Sequence, residues 1–343
     1  MYDLISSVQR NCDISDARHA GDSTMCIYLL RMREHYKWIN NTPLGKPFDH
    51  KSLGGWIETR EEYLGSLESC DYSPLRLGGD EYDPFDQVGI NRRIGDDNMA
   101  YCAGYGARGK PVFCLGELVG RESTDDYETY ILGSEYAREM SAPVAMSQHR
   151  TIYVRRDALL RMVWEMFEEW SWHKPRNSFF KAISHFGYPD DTSSAARALA
   201  ENELDNLILR ESGEIVAGDM LGERWNEMLL ALLGTPLEFL TRSVRDNLAD
   251  SLTVLPTLMF ERNAPSIHFY FAGSHPVRDQ LFPMLKQAYR SWDDTQTIEP
   301  LKFAVRRGRS HWLETAQELM TSFDEYGDDC MPHIQSVIDR CAL

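Results

Sequence analysis

Residues 195–217 read AARALAENELDNLILRESGEIVA, and the period of this stretch decides the fold class. Leu204, Leu207, Ile208 and Ile215 recur at helical spacing, which predicts a helix with one apolar face. At about 100° per residue, Glu211 falls in the middle of that stripe, within roughly 40° of Leu204 and Ile215. A buried carboxylate is costly unless it meets a cation, a metal or several hydrogen-bond donors. Whatever answers Glu211 therefore bears on function. Gly213, two residues on, is unfavourable inside a helix by about 1 kcal/mol relative to alanine and marks a close approach or a bend.

The same period extends outward in both directions. Residues 157–172 form a helix closed by Pro175, which cannot continue one. Further helices are predicted at 219–233, 237–255, 276–292, 311–324 and 332–341. Pro236 stands in the first turn of its helix, and Ser274 caps another with Pro276 just inside, both favoured arrangements. SIHFYF at 266–271 alternates loosely, which predicts an extended segment. Residues 151–343 thus read as an all-α domain, a bundle of six or seven helices.

Residues 1–150 have a different texture, with glycine-rich punctuation at 77–79, 104–111 and 116–120. Thr24 to Ile39 predicts a helix capped by Ser23 or Asp22, and Leu53 to Glu68 a second. Residues 71–100, rich in Asp, Gly and Pro, predict irregular structure. The runs 111–118 and 128–132, separated by a polar turn, predict an antiparallel hairpin, and 151–154 a further strand. The fold class is α+β and predominantly helical: a small α+β domain with a short antiparallel sheet over 1–150, then the all-α bundle over 151–343.

Composition narrows the function classes. Fifty-three acids against thirty-six bases leave a net charge of −17 over 343 residues. That balance repels nucleic-acid phosphates and anionic lipid, so neither nucleic acid nor membrane is an expected partner. Arg306, Arg307 and Arg309 form the obvious basic cluster and read as a solvated turn. The seven cysteines contain no Cys-x-x-Cys pair, which is neither a disulfide framework nor a zinc-finger spacing. No basic start followed by an apolar core opens the chain, and no apolar run approaches the ~18 residues of a membrane span. The expected location is the cytoplasm, as a soluble protein with reduced thiols. A protein partner or homo-oligomer is compatible with all of this and derivable from none of it.

Residues 201–250 hold eleven acids against four arginines, and periodicity sorts them. On the 237–255 helix the stripe is Leu240, Val244, Leu248, Ser251 and Leu255, so Asp246 and Asp250 read as solvated, with Arg242 and Asp246 as a surface pair. Glu223 and Asp279 point away from their own stripes. Three groups survive. Glu211 is the first, with Glu214 one turn later. Glu169 and His173, four apart, form the second; side chains at that spacing project together and can chelate one ion, or form a surface pair at a helix end. Arg33 is the third, set among Cys26, Leu29, Leu30 and Tyr36.

Two proteins can be built from these pieces. In one, Glu211, Glu214, His173 and Glu169, with His268 or His275, hold one or two divalent ions (iron, manganese or zinc) inside the bundle, giving redox or oxygen-linked or hydrolytic chemistry. The usual Glu-x-x-His repeat of such bundles is missing; Glu211-Ser212-Gly213-Glu214 has the spacing without the histidine. In the other, Arg33 pairs with Glu211, and the chain is a non-catalytic interaction or accessory protein. Nucleophile elbows and phosphate loops are absent from the sequence. Gly104-x-Gly106-x-x-Gly109 precedes a strand instead of following one, so it reads as a turn feeding a hairpin. The run DPFDQVGIN at 83–91 reads as a wound connection packing Phe85 and Ile90, and as a functional loop in the alternative.

Overall fold

A computed structural model describes residues 2–47, 49–106 and 109–343. The chain folds as two compact units, residues 1–164 and 165–343, with one helix, α5 (Arg156–Ser171), running across the border.

The N-terminal unit opens with three helices, α1 (Tyr2–Arg18), α2 (Met25–Ile39) and α3 (His50–Gly65). A two-stranded ribbon, β1 (Leu75–Leu77) and β2 (Asp80–Tyr82), and α4 (Gln87–Ile94) occupy the stretch expected to be irregular. Asp86 caps α4 by accepting the Gly89 N–H at 2.9 Å, so the aspartates of 83–91 serve a helix start. Phe85 stacks on Tyr105 and Ile90 is buried, the packing expected of that run.

Five strands follow: β3 (Met99–Tyr105), β4 (Pro111–Ser123), β5 (Glu128–Arg138), β6 (Ala145–Gln148) and β7 (Thr151–Arg155), in sheet order β3-β4-β5-β7-β6. The expected hairpin is β4 and β5, each longer than its apolar run. The sheet is mixed: β7 lies parallel to β5, with Glu128 opposite Thr151 and Leu132 opposite Arg155. Register shifts between Leu115 and Gly120 kink β4, as bulges do. Period-2 alternation divides the strands between two cores. Tyr101, Ala103, Phe113 and Leu115 meet Leu4, Val8 and Cys12 of α1 and Ile90 and Ile94 of α4. Ala100, Cys102, Val112 and Cys114 face the other way, with Tyr130, Leu132, Met146 and Tyr153. The glycine-rich turn joining β3 to β4 includes residues 107 and 108, so that part of the 104–110 reading lies outside the described residues.

Beyond Glu165 every secondary-structure element is helical among the described residues. After α5 come α6 (Ser178–Ser184), α7 (Thr192–Asn202), α8 (Leu204–Leu221), α9 (Glu223–Ala231), α10 (Pro236–Leu252), α11 (Val254–Glu261), α12 (Ala264–Ala272), α13 (Pro276–Leu281), α14 (Pro283–Thr295), α15 (Glu299–Tyr326) and α16 (Met331–Arg340). Residues 195–217 are therefore two helices, α7 and α8, parted at Glu203. SIHFYF is helical, within α12, not extended: Asn263 caps it and Pro265 occupies its first turn, and these local signals outweigh a loose alternation. The arginines 306, 307 and 309 are exposed on the long helix α15, not on a turn.

α10 packs against α8 and α15 and is buried on nearly all sides. Thr241, Ser243, Asn247, Asp250 and Ser251 lie inside with Val244 and Leu248. The reading of Asp250 as solvated fails here, because a stripe rule presumes that a helix has one dry face. Asp250 is 1% exposed and pairs with Arg278 of α13. Arg242 pairs with Glu238 at 3.0 Å instead of Asp246. Glu223 is exposed, as its periodicity predicts.

Candidate functional site

The N-terminal unit holds a cavity of about 540 Å³ bounded by α1, α2, α3 and β5. On α1, the helical spacing Leu4, Val8, Cys12 seats one face on the sheet, which leaves Gln9 and Asp13, four apart, on the flank. Gln9 ties α1 to β5: its amide donates to the Arg138 carbonyl at 3.0 Å and to Asp13 at 2.8 Å, and it accepts the Arg138 N–H at 3.1 Å. From α3, Arg60 donates to Asp13 at 2.5 Å. From α2 come His35 and Trp38, and the Arg138 guanidinium lies 5.6 Å over the Trp38 ring.

A buried ion network stands behind this wall. Glu135 of β5 lines the cavity and accepts from Arg138 at 3.2 Å and, at shorter range, from Arg155. Arg155 is wholly buried at the end of β7 and donates to Glu139 at 2.8 Å as well. Two carboxylates around one guanidinium offset the desolvation of all three groups, as a buried charge requires. Burial by itself would push the Glu135 carboxyl up; the fields of Arg155 and Arg138 overcome that and hold it below the ordinary range.

His35 stands out in this neighbourhood, where Arg155 Nη2 and Glu139 Oε2 also have no hydrogen-bond partner. It is fully buried, and neither ring nitrogen has a hydrogen-bond partner; the Arg60 Nε beside it has none either. Burial, and then the positive fields of Arg60 and Arg138, depress the His35 imidazole well below its usual value, so it is neutral at pH 7. A neutral imidazole offers one donor and one acceptor. The chemistry at this wall is recognition by a neutral ring and two guanidiniums, with Ile5, Trp38 and Ile39 as apolar surface.

The residues singled out in the sequence lie elsewhere. Glu211 is buried at 8% exposure on α8, and its field helps keep Arg245 of α10 charged. Glu214 accepts from the same Arg245 at 3.1 Å. Burial pushes the Glu214 carboxyl up, against the pull of Arg245. A cation, then, stands beside both glutamates. Gly213 marks a close approach: a Cβ there would meet Thr253 and the Ala249 carbonyl oxygen of α10. His268 Nδ1 lies 2.9 Å from the Tyr289 hydroxyl, and His275 caps α13. Glu169 is exposed on the last turn of α5 and His173 in the turn beyond it, so the two do not share the helix expected of them, and both line a separate cavity of about 390 Å³. Among the described residues no group of three or more His, Cys, Asp or Glu is gathered closely enough to hold a metal ion.

Arg33 lies in the N-terminal unit and pairs with Glu34 at 2.7 Å. Its expected apolar companions Cys26, Leu29 and Leu30 are exposed, and α2 buries Met32, Glu34, His35 and Lys37 instead. Neighbours on a helix point apart, so the adjacent Glu34 and His35 carry no signal of a shared site in the sequence. The i, i+4 run Leu4, Val8, Cys12 was the available signal for α1, and through it for Gln9 and Asp13.

Two family models together span most of the chain: the N-terminal domain of a family of unknown function, DUF6866, matches residues 3–155, and the C-terminal domain of the same family matches residues 160–340. No curated protein and no solved structure matches the chain.

Proposed function

The chain belongs to the DUF6866 family of unknown function, and from the geometry of its N-terminal unit we propose that this unit binds a small organic anion. One observation carries the reading: a fully buried His35 with both ring nitrogens unpartnered shares a cavity with Arg60, whose Nε is also unpartnered. Buried polar atoms are nearly always hydrogen-bonded in folded proteins, so a buried ring with neither nitrogen partnered calls for an explanation, and a ligand is one. At about 540 Å³ the cavity falls in the ordinary range for small-molecule sites.

Charge sets the sign of the ligand. The two acids at the wall are engaged, Asp13 by Arg60 and Gln9, Glu135 by Arg138 and Arg155. Arg10 lines the same cavity with no ion pair among the described residues. A carboxylate would meet the guanidiniums of Arg10 and Arg60, and its apolar part would lie along Trp38 and Ile39. This makes the unit a binding module, in keeping with an accessory protein.

Calorimetric titration with benzoate, and with neutral benzamide of the same shape, tests the reading. Benzoate is expected to bind at least about tenfold more tightly, a difference of about 1.4 kcal/mol, and Arg10→Met to remove most of that preference. Equal affinities, or no heat from benzoate, would refute it.

A metal-dependent enzyme is the second reading. Its support is that Glu169 and His173 line one cavity. Elemental analysis of protein purified without chelators tests it: near-stoichiometric iron, manganese or zinc, lost in Glu169→Gln, would establish it.

A further inference from the structure

Two cysteines of the five-stranded sheet stand opposite one another. The register places Cys102 of β3 across from Cys114 of β4, and both are fully buried on the same side of the sheet. Their thiols lie within hydrogen-bonding reach of each other, and the Cys102 thiol donates to the Met146 sulfur at 3.0 Å. The Gly106 N–H donates to the Lys110 carbonyl at 2.8 Å, so alternate pairs from there, Gly104 with Val112 and Cys102 with Cys114, are the hydrogen-bonded ones. Cα atoms in such a pair stand about 5.5 Å apart, inside the roughly 4.4–6.8 Å that a disulfide spans. Their Cβ atoms start wider, toward about 5.5 Å, where a disulfide sets them about 3.8 Å apart. A bond at this pair is within reach but strained. β3 is also an edge strand, with a ladder to β4 alone in the order β3-β4-β5-β7-β6.

We propose that Cys102 and Cys114 form a reversible redox latch, which closes a disulfide across the two strands in the presence of a small-molecule disulfide and reopens in excess thiol. When β3 opens locally, one cysteine, as thiolate, attacks the oxidant R–S–S–R; a cysteine–S–R bond forms and R–S⁻ leaves. The second thiolate attacks the cysteine sulfur of that mixed disulfide, the Sγ–Sγ bond forms and the second R–S⁻ leaves. The two cysteines lose two electrons and two protons, which appear in two R–SH. Burial pushes the Cys102 thiol well above its ordinary value, so it is protonated and inert in the closed sheet, and the reaction waits on opening of the edge strand. Strain in the bond makes it easy to reduce, the property of regulatory disulfides rather than structural ones. The latch also acts beyond its own pair. Next to Cys102, the Tyr101 N–H and carbonyl are both held at 2.7 Å by the Asn91 side chain of α4, so pinning β3 to β4 steadies the strand that α4 is tied to.

The test is disulfide mapping of the full chain equilibrated with mixtures of reduced and oxidised glutathione. Trypsin cleaves after Arg108, between the two cysteines, so the bond joins residues 94–108 to residues 109–121. The linked peptides are expected when oxidised glutathione is in excess, and are expected to vanish without denaturant when the reduced form is in excess. Cys26→Ser removes the exposed thiol that reacts first, and its exposure makes the variant safe for folding. Amide exchange in β3 gives a second readout, expected to be at least about tenfold slower in the linked protein because closing the loop removes open states. Linkage of either cysteine to Cys12 would overturn the proposal, as would glutathione adducts at Cys70 with Cys102 and Cys114 still free. A link that forms only in urea, that survives excess reduced glutathione, or that leaves β3 exchange unchanged would overturn it too.

Discussion

Gly213 on α8 faces Ala249 on α10 at a separation that leaves no room for a side chain: a Cβ on Gly213 would stand 2.8 Å from the Ala249 carbonyl oxygen. Backbone cannot step aside as a flexible side chain can. Gly213→Ala is therefore expected to destabilise the protein by about 1–3 kcal/mol through overpacking, despite the roughly 1 kcal/mol that alanine gains in helix propensity. Gly218, on the same helix with nothing within 4 Å, is the control, and its alanine variant is expected to be neutral or slightly stabilising. Urea unfolding of both variants checks this; equal midpoints would show that the helices part easily at Gly213.

Asp250 supports the same helix by pairing with Arg278 and accepting the Tyr270 hydroxyl at 2.8 Å. Asp250→Asn would leave a buried guanidinium facing a neutral amide and is expected to cost about 3–5 kcal/mol. The carboxyl also predicts acid sensitivity. Burial pushes its pKa up, but Arg278, Arg210 and its hydrogen bonds more than offset this and hold it below the ordinary value. A depressed carboxyl contributes stability that is complete above about pH 4 and is lost as pH falls through the folded-state value. Stability against pH, measured for the parent and the Asn variant, should lose much of its slope below pH 4 in the variant.

His35 acts in a higher window. It is neutral when folded and binds a proton near pH 6.5 when unfolded, so stability is complete above pH 6.5 and falls as pH drops below it. His268, depressed by burial to about 4, adds a contribution of the same sign. Each contributes up to about 1.4 kcal/mol per pH unit between 6 and 5. His35→Gln should remove one of the two slopes and leave that of His268; an unchanged slope would mean that His35 is protonated in the folded protein.

Charge at the cavity gives that histidine a second consequence. A bound anion would offset part of the positive field of Arg60 and Arg138 at His35, whose other charged and titratable surroundings are Arg10, Asp13, Tyr63 and Glu135 across the cavity and Glu34 and Lys37 on its own helix. Benzoate binding is expected to raise the imidazole toward its ordinary value and to take up protons as pH falls from 6 to 5. Titrations in two buffers of different ionisation enthalpy measure that uptake, which His35→Gln should abolish. No uptake in the parent chain would remove His35 from the site.

The thiols should separate cleanly. Cys26 is exposed, whereas Cys12 and Cys102 are fully buried, and burial pushes both thiols well above their ordinary values. Modification of native protein with a disulfide reagent should label Cys26 first and reach Cys12 and Cys102 only on unfolding. Early loss of Cys102 would mean that the sheet opens readily between β3 and β4.

Helices in the second half were legible because helical period and proline positions are local. Even there, α10 misled: its buried Thr241, Asn247 and Asp250 look like an outer face until α8, α13 and α15 are known to surround it. β3 and β6 escaped notice because neither alternates cleanly, β3 being buried on both faces. Glu211 was rightly read as buried, yet its neighbour Arg245 comes from another helix, which no period within α8 could reveal.

By itself the sequence determined a predominantly helical α+β chain and the hairpin of β4 and β5, and it marked Gly213 as a close approach or a bend. These follow from backbone propensity and the repeat of apolar side chains, which act over a few residues. Only the tertiary structure decided which charges are buried and what answers them. Asp13 and Arg60, Glu135 and Arg155, and Asp250 and Arg278 each join different elements. A buried charge is tolerated because of the partner that folding brings to it, and that partner can stand anywhere along the chain.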